Sequence, residues 1–516
     1  MRAHLRFCVA ALATTALAGG LAACSTSGTP GSSASGGGSG SAAGPTLTVD
    51  LSSYPASLDP GLQYDTESYS VYRNIFDQLL HRDPATEQVV PWLATSWKQQ
   101  NATTWTFTIR KGVKFSDGEP LTAADAAFSI ERILDPKFAS QQQANFSAIA
   151  SATGSGNTLT ITTKFPSPTL LSYLTTLSVV PEAYVKKVGN AAFNLHPVGS
   201  GPYEFVSSTP GSEVTVKRNP QYWGPKPQIA SVDFRAVTDI ATRVADLQSG
   251  QAQLADSMTP DNVAQLKSAS LQALSTPTER VSYLAFNTIH GGPTDNAKVR
   301  QAISEAINYS ALDDDLEKGY ASPVNSVLTP LNIGYPKSLP NYKYDPAQAK
   351  QMIKQAGAAG QTVIMATSPT YSATIVQAIQ ADIQAVGLNV KIQSTDQATY
   401  LQKVQSPSHN WGSIRFGQWS CSCLDADGVA YPLFHTGTIW SSYSNPAFDQ
   451  LVEKARETLA TATRDSLYAQ AYGILAKDVP GIGLFQIDAI YGASTKLQWK
   501  PDAQQDFFVA DMKLSS

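Results

Sequence analysis

The chain has 516 residues, 37 basic against 41 acidic side chains for a net charge of −4, and 42% hydrophobic residues. That balance excludes a function built on a strongly charged surface, so neither nucleic acid nor an anionic lipid surface is an implied partner. The length exceeds what one hydrophobic core supports, and two or more lobes are expected.

The chain opens with Arg2, His4 and Arg6, then an apolar run from Phe7 to Ala18 and the tetrad Leu21-Ala22-Ala23-Cys24. An apolar core this short does not cross a bilayer and reads as an export signal over residues 1–23. The tetrad resembles a bacterial lipobox, which implies cleavage before Cys24 and acylation of its sulfur. From Ser25 to Gly44 the chain is nearly all Ser, Gly, Ala and Thr, too poor in large apolar groups to fold, so residues 24–45 read as a lipid-anchored tether. A flexible tether of that length reaches roughly 25 Å.

Thr46–Leu51 reads as a strand, Leu58-Asp59-Pro60 as a turn and Ser70–Leu80 as a helix. Alternation at Trp105, Phe107 and Ile109 marks a strand. Ser116-Asp117-Gly118 marks a turn, and Thr122 with Asp125 caps a helix that ends before Pro136. Val299, Ala302, Ile303, Ala306 and Ile307 share a helical face, and Asp345-Pro346 opens a helix that Gly357 closes. The stretch 361–366 reads as a strand, 372–386 as a helix and 388–392 as a strand. That is a β-α-β unit with a parallel pair in an α/β lobe. Asn445-Pro446 starts a further helix, 466–476 makes another, and Ile482–Ile487 returns as a strand.

The stretch Trp411–Phe434 is the densest in polar and aromatic chemistry. As a strand, Trp411–Trp419 puts Trp411, Ser413, Arg415 and Trp419 on one face and Ile414 and Phe416 on the other. Two indoles and a guanidinium suit a concave binding surface, and a half-buried strand packed under loops is the alternative. With Cys8 in the signal and Cys24 acylated, Cys421 and Cys423 remain. A disulfide between them, two reduced thiols and a soft-metal site stay open, because two extended residues span about 6.6 Å and pairing needs a turn. Asp425 and Asp427 before Gly428 hint at a calcium loop. Cys423 holds the place of the first carboxylate, however, and no closing glutamate follows, so no metal site is expected.

The tools of an enzyme are missing. The folded part of the chain has no His-Glu-x-x-His, no phosphate-binding Gly-rich loop with its Lys, and no Gly-x-Ser-x-Gly. His81, His196, His290, His409 and His435 show no metal-ligand spacing, and Asp313-Asp314-Asp315 reads as a solvated turn. No catalytic residue and no cofactor is expected.

Several blocks in order carry a family resemblance. They are WTFTIRKGVKFSDGEPLTAADAAFSIERILD from Trp105, Gly199-Ser200-Gly201-Pro202-Tyr203-Glu204-Phe205, Arg218-Asn219-Pro220 with Tyr222-Trp223, and Ala285-Phe286-Asn287-Thr288 running into Val299-Arg300-Gln301-Ala302-Ile303. Tyr344-Asp345-Pro346 and the segment around Trp419 follow. From Leu47 onward the chain resembles the peptide/nickel class (family 5) of extracytoplasmic solute-binding lipoproteins of ABC importers.

The resemblance implies an α/β, two-lobed periplasmic-binding-protein type II fold of the large (cluster C) kind, with an extra subdomain. By this reading 46–80, 197–287 and 483–516 form the core of lobe I, 81–196 the extra subdomain and 288–482 lobe II. The crossings fall near Asn287-Thr288 and Gly481–Gly483. It implies capture of a peptide or peptide-like solute by closure of the lobes, delivery to a permease with its ATPase subunits, and a monomer held at the outer face of the membrane.

The family's peptide binders neutralise the solute's amino terminus with a carboxylate three residues after the tryptophan matched by Trp419. Here that position is Ser422, which leaves Asp425 or Asp427 to reach the amine, or a solute without one. A pocket acid of oligopeptide binders falls on Tyr64. Trp411, Trp419 and Tyr64 are expected to stack on the solute, Arg415 to hold a carboxylate, and Asn287 to bond it near the hinge. An oligosaccharide binder is the first alternative and a metal-chelate binder the second, ahead of a secreted hydrolase or a purely structural lipoprotein.

Overall fold

The computed structural model describes residues 44–515. The signal segment, Cys24 and all but the last two tether positions lie outside the described residues. No helix among the described residues is long and apolar enough to cross a membrane.

One continuous sheet organises the chain. Its strands run in the order Asn389–Ser394, Thr362–Thr367, Ile414–Trp419, Gln272–Phe286, Gly481–Ala493, Leu254–Ala255, Thr46–Leu51, Ser231–Ala236, Glu213–Arg218 and Tyr203–Thr209, with Ala321–Pro323 added on Gly481–Ala493. Each end is an α/β lobe. Thr46–Leu51 lies parallel to Ser231–Ala236, and Thr362–Thr367 parallel to Asn389–Ser394 with the helix Ala373–Ala385 between them in sequence. Leu47, Val49, Val216, Val232 and Phe234 pack one lobe, and Ile303, Val363, Met365, Ile379 and Phe416 pack the other. A third body has its own antiparallel sheet, Ala94–Gln99, Thr104–Ile109, Thr158–Thr163 and Ile149–Ser155 in spatial order. The helix Ala123–Leu134 covers it, over a core running from Leu79 to Val179.

Two strands, Gln272–Phe286 and Gly481–Ala493, belong to both lobes. Their antiparallel register runs from Gln272↔Ala493 to Pro277↔Asp488 and resumes at Val281↔Gln486, so Thr278, Glu279 and Arg280 lie opposite Ile487 alone. Side chains hold this bulge: Thr278 Oγ1 donates to Ile487 O at 2.7 Å and Gln486 Nε2 donates to Thr278 O at 2.6 Å. Beyond it, Val281–Phe286 already pair with Trp419–Ile414 of the second lobe. The crossings expected at Asn287-Thr288 and Gly481–Gly483 are therefore corrected to Pro277–Val281 and Gln486–Asp488. Gly483 serves packing, since a Cβ there would fall 2.0 Å from Ser326 O.

Local signals set many boundaries. Thr122 and Asp125 form a capping box, and Asp345 Oδ1 accepts from Gln348 N at 3.0 Å with Pro346 first in its helix. The helix expected at Ser70–Leu80 is instead Thr66–Ile75, because Asp65 Oδ1 accepts from Ser68 N at 3.0 Å and starts it earlier. Its end is fixed from outside, by Gly201 N donating to Ile75 O at 2.8 Å.

Candidate functional site

The strand Ile414–Trp419 begins after Gly412, which has φ +113°. Ile414 and Phe416 enter the core of the second lobe. On the other face Arg415 lies 5.9 Å from the Trp411 ring and 5.5 Å from the Trp440 ring, and Trp440 meets Trp419 edge-on at 5.2 Å. This face is mostly not free for a solute. Trp411 is 2% exposed and Arg415 1%. Arg415 donates from Nη1 to Tyr283 Oη at 2.6 Å and from Nη2 to Trp440 O at 3.2 Å. As direct solute contacts Trp411 and Arg415 are thus corrected to a buried layer behind Trp419. Trp440 covers them, and sequence reasoning passed over it because it comes from a loop with no periodic pattern. Trp419, unlike Trp411 and Arg415, is half-buried, oriented by its indole N–H donating to Gly428 O at 2.8 Å.

After Trp419 the chain folds tightly. Leu424 N donates to Cys421 O at 2.9 Å, and Cys421 and Cys423 are bonded through sulfur with Cα atoms 5.1 Å apart, closer than extended chain allows. The helix Asp427–Phe434 packs on this disulfide through Gly428, where a Cβ would fall 2.0 Å from Cys421 Sγ.

Asp425 is buried with both carboxylate oxygens on Arg464, at 2.6 and 2.7 Å, and Oδ1 also accepts from Asp427 N at 2.9 Å. It is corrected from an amine partner to a structural anion. Asp427 is half-buried and 2.8 Å from Arg456 Nε, whose guanidinium lies 3.6 Å over the Tyr431 ring. Burial raises the Asp427 pKa, Arg456 opposes that, and Asp425 adds to it. Asn287 is fully buried. Its Nδ2 donates to His409 O and Gly412 O at 2.6 and 3.0 Å, and its Oδ1 accepts from Ile289 N and His290 N. It is corrected from a solute contact to a clamp between the loop 409–412 and the end of the crossing strand.

The remaining groups converge from opposite bodies. Tyr173 of the third body places its hydroxyl 3.7 Å from Cys421 Sγ, and its pKa is raised by burial and then by Asp427 and Asp425. Arg82 donates from Nη2 to Ser422 O at 3.3 Å and from Nη1 to Glu87 O at 2.6 Å. Arg456 lies 5.8 Å from the Phe165 ring. Tyr64 of the first lobe is 43% exposed. Trp419, Ser422 and Asp427 therefore lie where the second lobe meets Arg82 and Tyr173 of the third body, and Glu279 stands two residues before Val281, the register partner of Trp419. Among the described residues no cluster of His, Cys, Asp and Glu is placed to hold a metal ion.

Two lobes on a shared pair of strands, with an aromatic and polar cleft between them, define a protein that encloses a small molecule. The profile of the bacterial extracellular solute-binding proteins, family 5 (middle), matches residues 88–441, more than half the chain. The chain belongs to that family. It is 30% identical over 491 residues to the glutathione-binding protein GsiB of Shigella dysenteriae, covering 90% of this chain and 94% of that protein. Among solved structures it is similar to the periplasmic binding protein DppA of Helicobacter pylori in complex with the peptide STSA. The two share 26% identity and a TM-score of 0.78, over 91% of this chain and 98% of that one. It also shares its fold with the substrate-binding protein CtaP of Listeria monocytogenes, at 23% identity and a TM-score of 0.83, over 92% and 100% of the two chains.

Proposed function

We propose that the protein captures a peptide or peptide-like solute outside the cytoplasm and hands it to the permease of an ABC importer, with no chemistry of its own. The observation that carries this reading is the cleft itself. Trp419 and Tyr64 offer apolar area, and Ser422 O and the Arg82 guanidinium, which bond each other across the gap at 3.3 Å, mark where polar groups of two bodies meet. The names of GsiB and of the DppA complex support a peptide-like solute in particular.

In this reading Trp419 and Tyr64 stack on the solute while Trp411 and Arg415 support Trp419 from behind, and Asp427 and Ser422 line the far wall. Cys24 carries lipid, residues 25–44 tether a monomer to the outer face of the membrane, and the lobes divide as the sequence suggests, with hinges moved to Pro277–Val281 and Gln486–Asp488. The uncharged Ser422 and the aromatic rings favour an oligosaccharide as the second reading.

A melting-shift screen separates the two. A mixed tripeptide library is expected to raise the midpoint by several degrees and cello-oligosaccharides to leave it unchanged. The reverse pattern would transfer the site to sugars.

A further inference from the structure

Glu279 is the one acidic side chain that the bulge between the lobes presents. Three residues opposite one turn the strand locally, and such bulges re-aim a side chain out of the ladder. Thr278 and Gln486 fix the distortion from both strands, so the position of Glu279 is built in. Its Oε2 is buried, and the Gln504 amide beside it lowers its pKa without making a full hydrogen bond to it. Burial comes first in pushing its carboxyl up to about 7, with Arg280, Arg82, Gln504 and Arg73 opposing. Arg73 is paired with Asp506 and Arg82 spends Nη1 on Glu87 O and Nη2 on Ser422 O, while Arg280, next in the chain, opposes the shift without an ion pair to Glu279 among the described residues. Glu279 stands two residues before Val281, whose register partner is Trp419, so the bulge sets this carboxylate beside the end of the strand that carries Trp419. A buried acceptor left open costs stability and is retained where a ligand completes it.

We infer that Glu279 is the acceptor for a solute ammonium group, taking the role that Ser422 has no charge to perform and that Asp425, held by Arg464, is not free to perform. The inference rests on the peptide reading above. The ammonium belongs either to the solute's amino terminus or to a lysine side chain.

Isothermal titration of the full chain with three tripeptide libraries tests it: free, N-acetylated, and N-acetylated with a central lysine. The native protein is expected to bind the free library at least about tenfold tighter than the acetylated one. Glu279→Gln should abolish the preference so that the free and acetylated libraries bind alike, with the circular dichroism spectrum of the native protein retained as the report of a folded chain. Glu279→Asp should keep part of the preference. If the lysine library binds as tightly as the free one, and loses this in Glu279→Gln, the same role holds with the side chain as the source of the cation. Equal binding of all three by the native protein, or a preference that survives Glu279→Gln, would overturn the assignment and leave peptide capture standing. Binding of none of them by the native protein would overturn both.

Discussion

Asp425→Ala is expected to lower the stability of the protein by about 3–5 kcal/mol, the largest effect of any single change near the cleft. The arginine left behind explains the size. Arg464 is buried, its guanidinium is held by both Asp425 oxygens, and only Ala455 O at 3.2 Å gives it another partner. Burial works against the Arg464 charge, and Asp425 outweighs it, so its pKa lies above the usual range. Removing the anion leaves a cation with no route to water. Replacing both partners with apolar residues of similar volume, Asp425→Leu with Arg464→Met, should recover most of the loss. Urea unfolding followed by tryptophan fluorescence measures both. A loss below about 1 kcal/mol for Asp425→Ala would show that Asp425 is not committed to Arg464 and return it to the list of solute contacts.

Trp419→Ala is expected to weaken solute binding by roughly ten- to a hundredfold, about 1.4 to 2.8 kcal/mol. Its indole is the one large aromatic face of the Trp411–Trp419 segment that is not sealed in the core, and its N–H bond to Gly428 O holds it in place before a solute arrives. Such preorganisation costs a solute little ordering entropy. Because Trp440 and Arg415 already pack on each other behind it, the melting midpoint without solute should fall only slightly. Titration of a verified solute into the variant reads the loss, and unchanged affinity would remove Trp419 from the site.

Features that depend on a few neighbouring residues were legible before the fold was known. The Thr122/Asp125 capping box, the Asp345-Pro346 start and the β-α-β unit around Ala373–Ala385 follow from local hydrogen bonding and hydrophobic period. So does the division of Ile414 and Phe416 from Arg415, which strand alternation dictates. What alternation does not say is how deeply the second face is covered. Arg415 is buried because Tyr283 and Trp440, far away in the chain, supply its partners, and no local pattern announces them. Asp425 failed as a solute contact for the same reason, its partner lying 39 residues on in another helix. Glu279 was invisible because only the paired register of two strands reveals a bulge, and in the single strand it is one charged residue among others.

The most direct test of solute capture is to purify residues Pro45–Ser516 gently and record native and then denaturing mass spectra of what travels with the protein. Peptide capture predicts a set of adduct masses in the native spectrum that denaturation releases as short peptides. A released series spaced by hexose units would contradict it and assign the cleft to sugars.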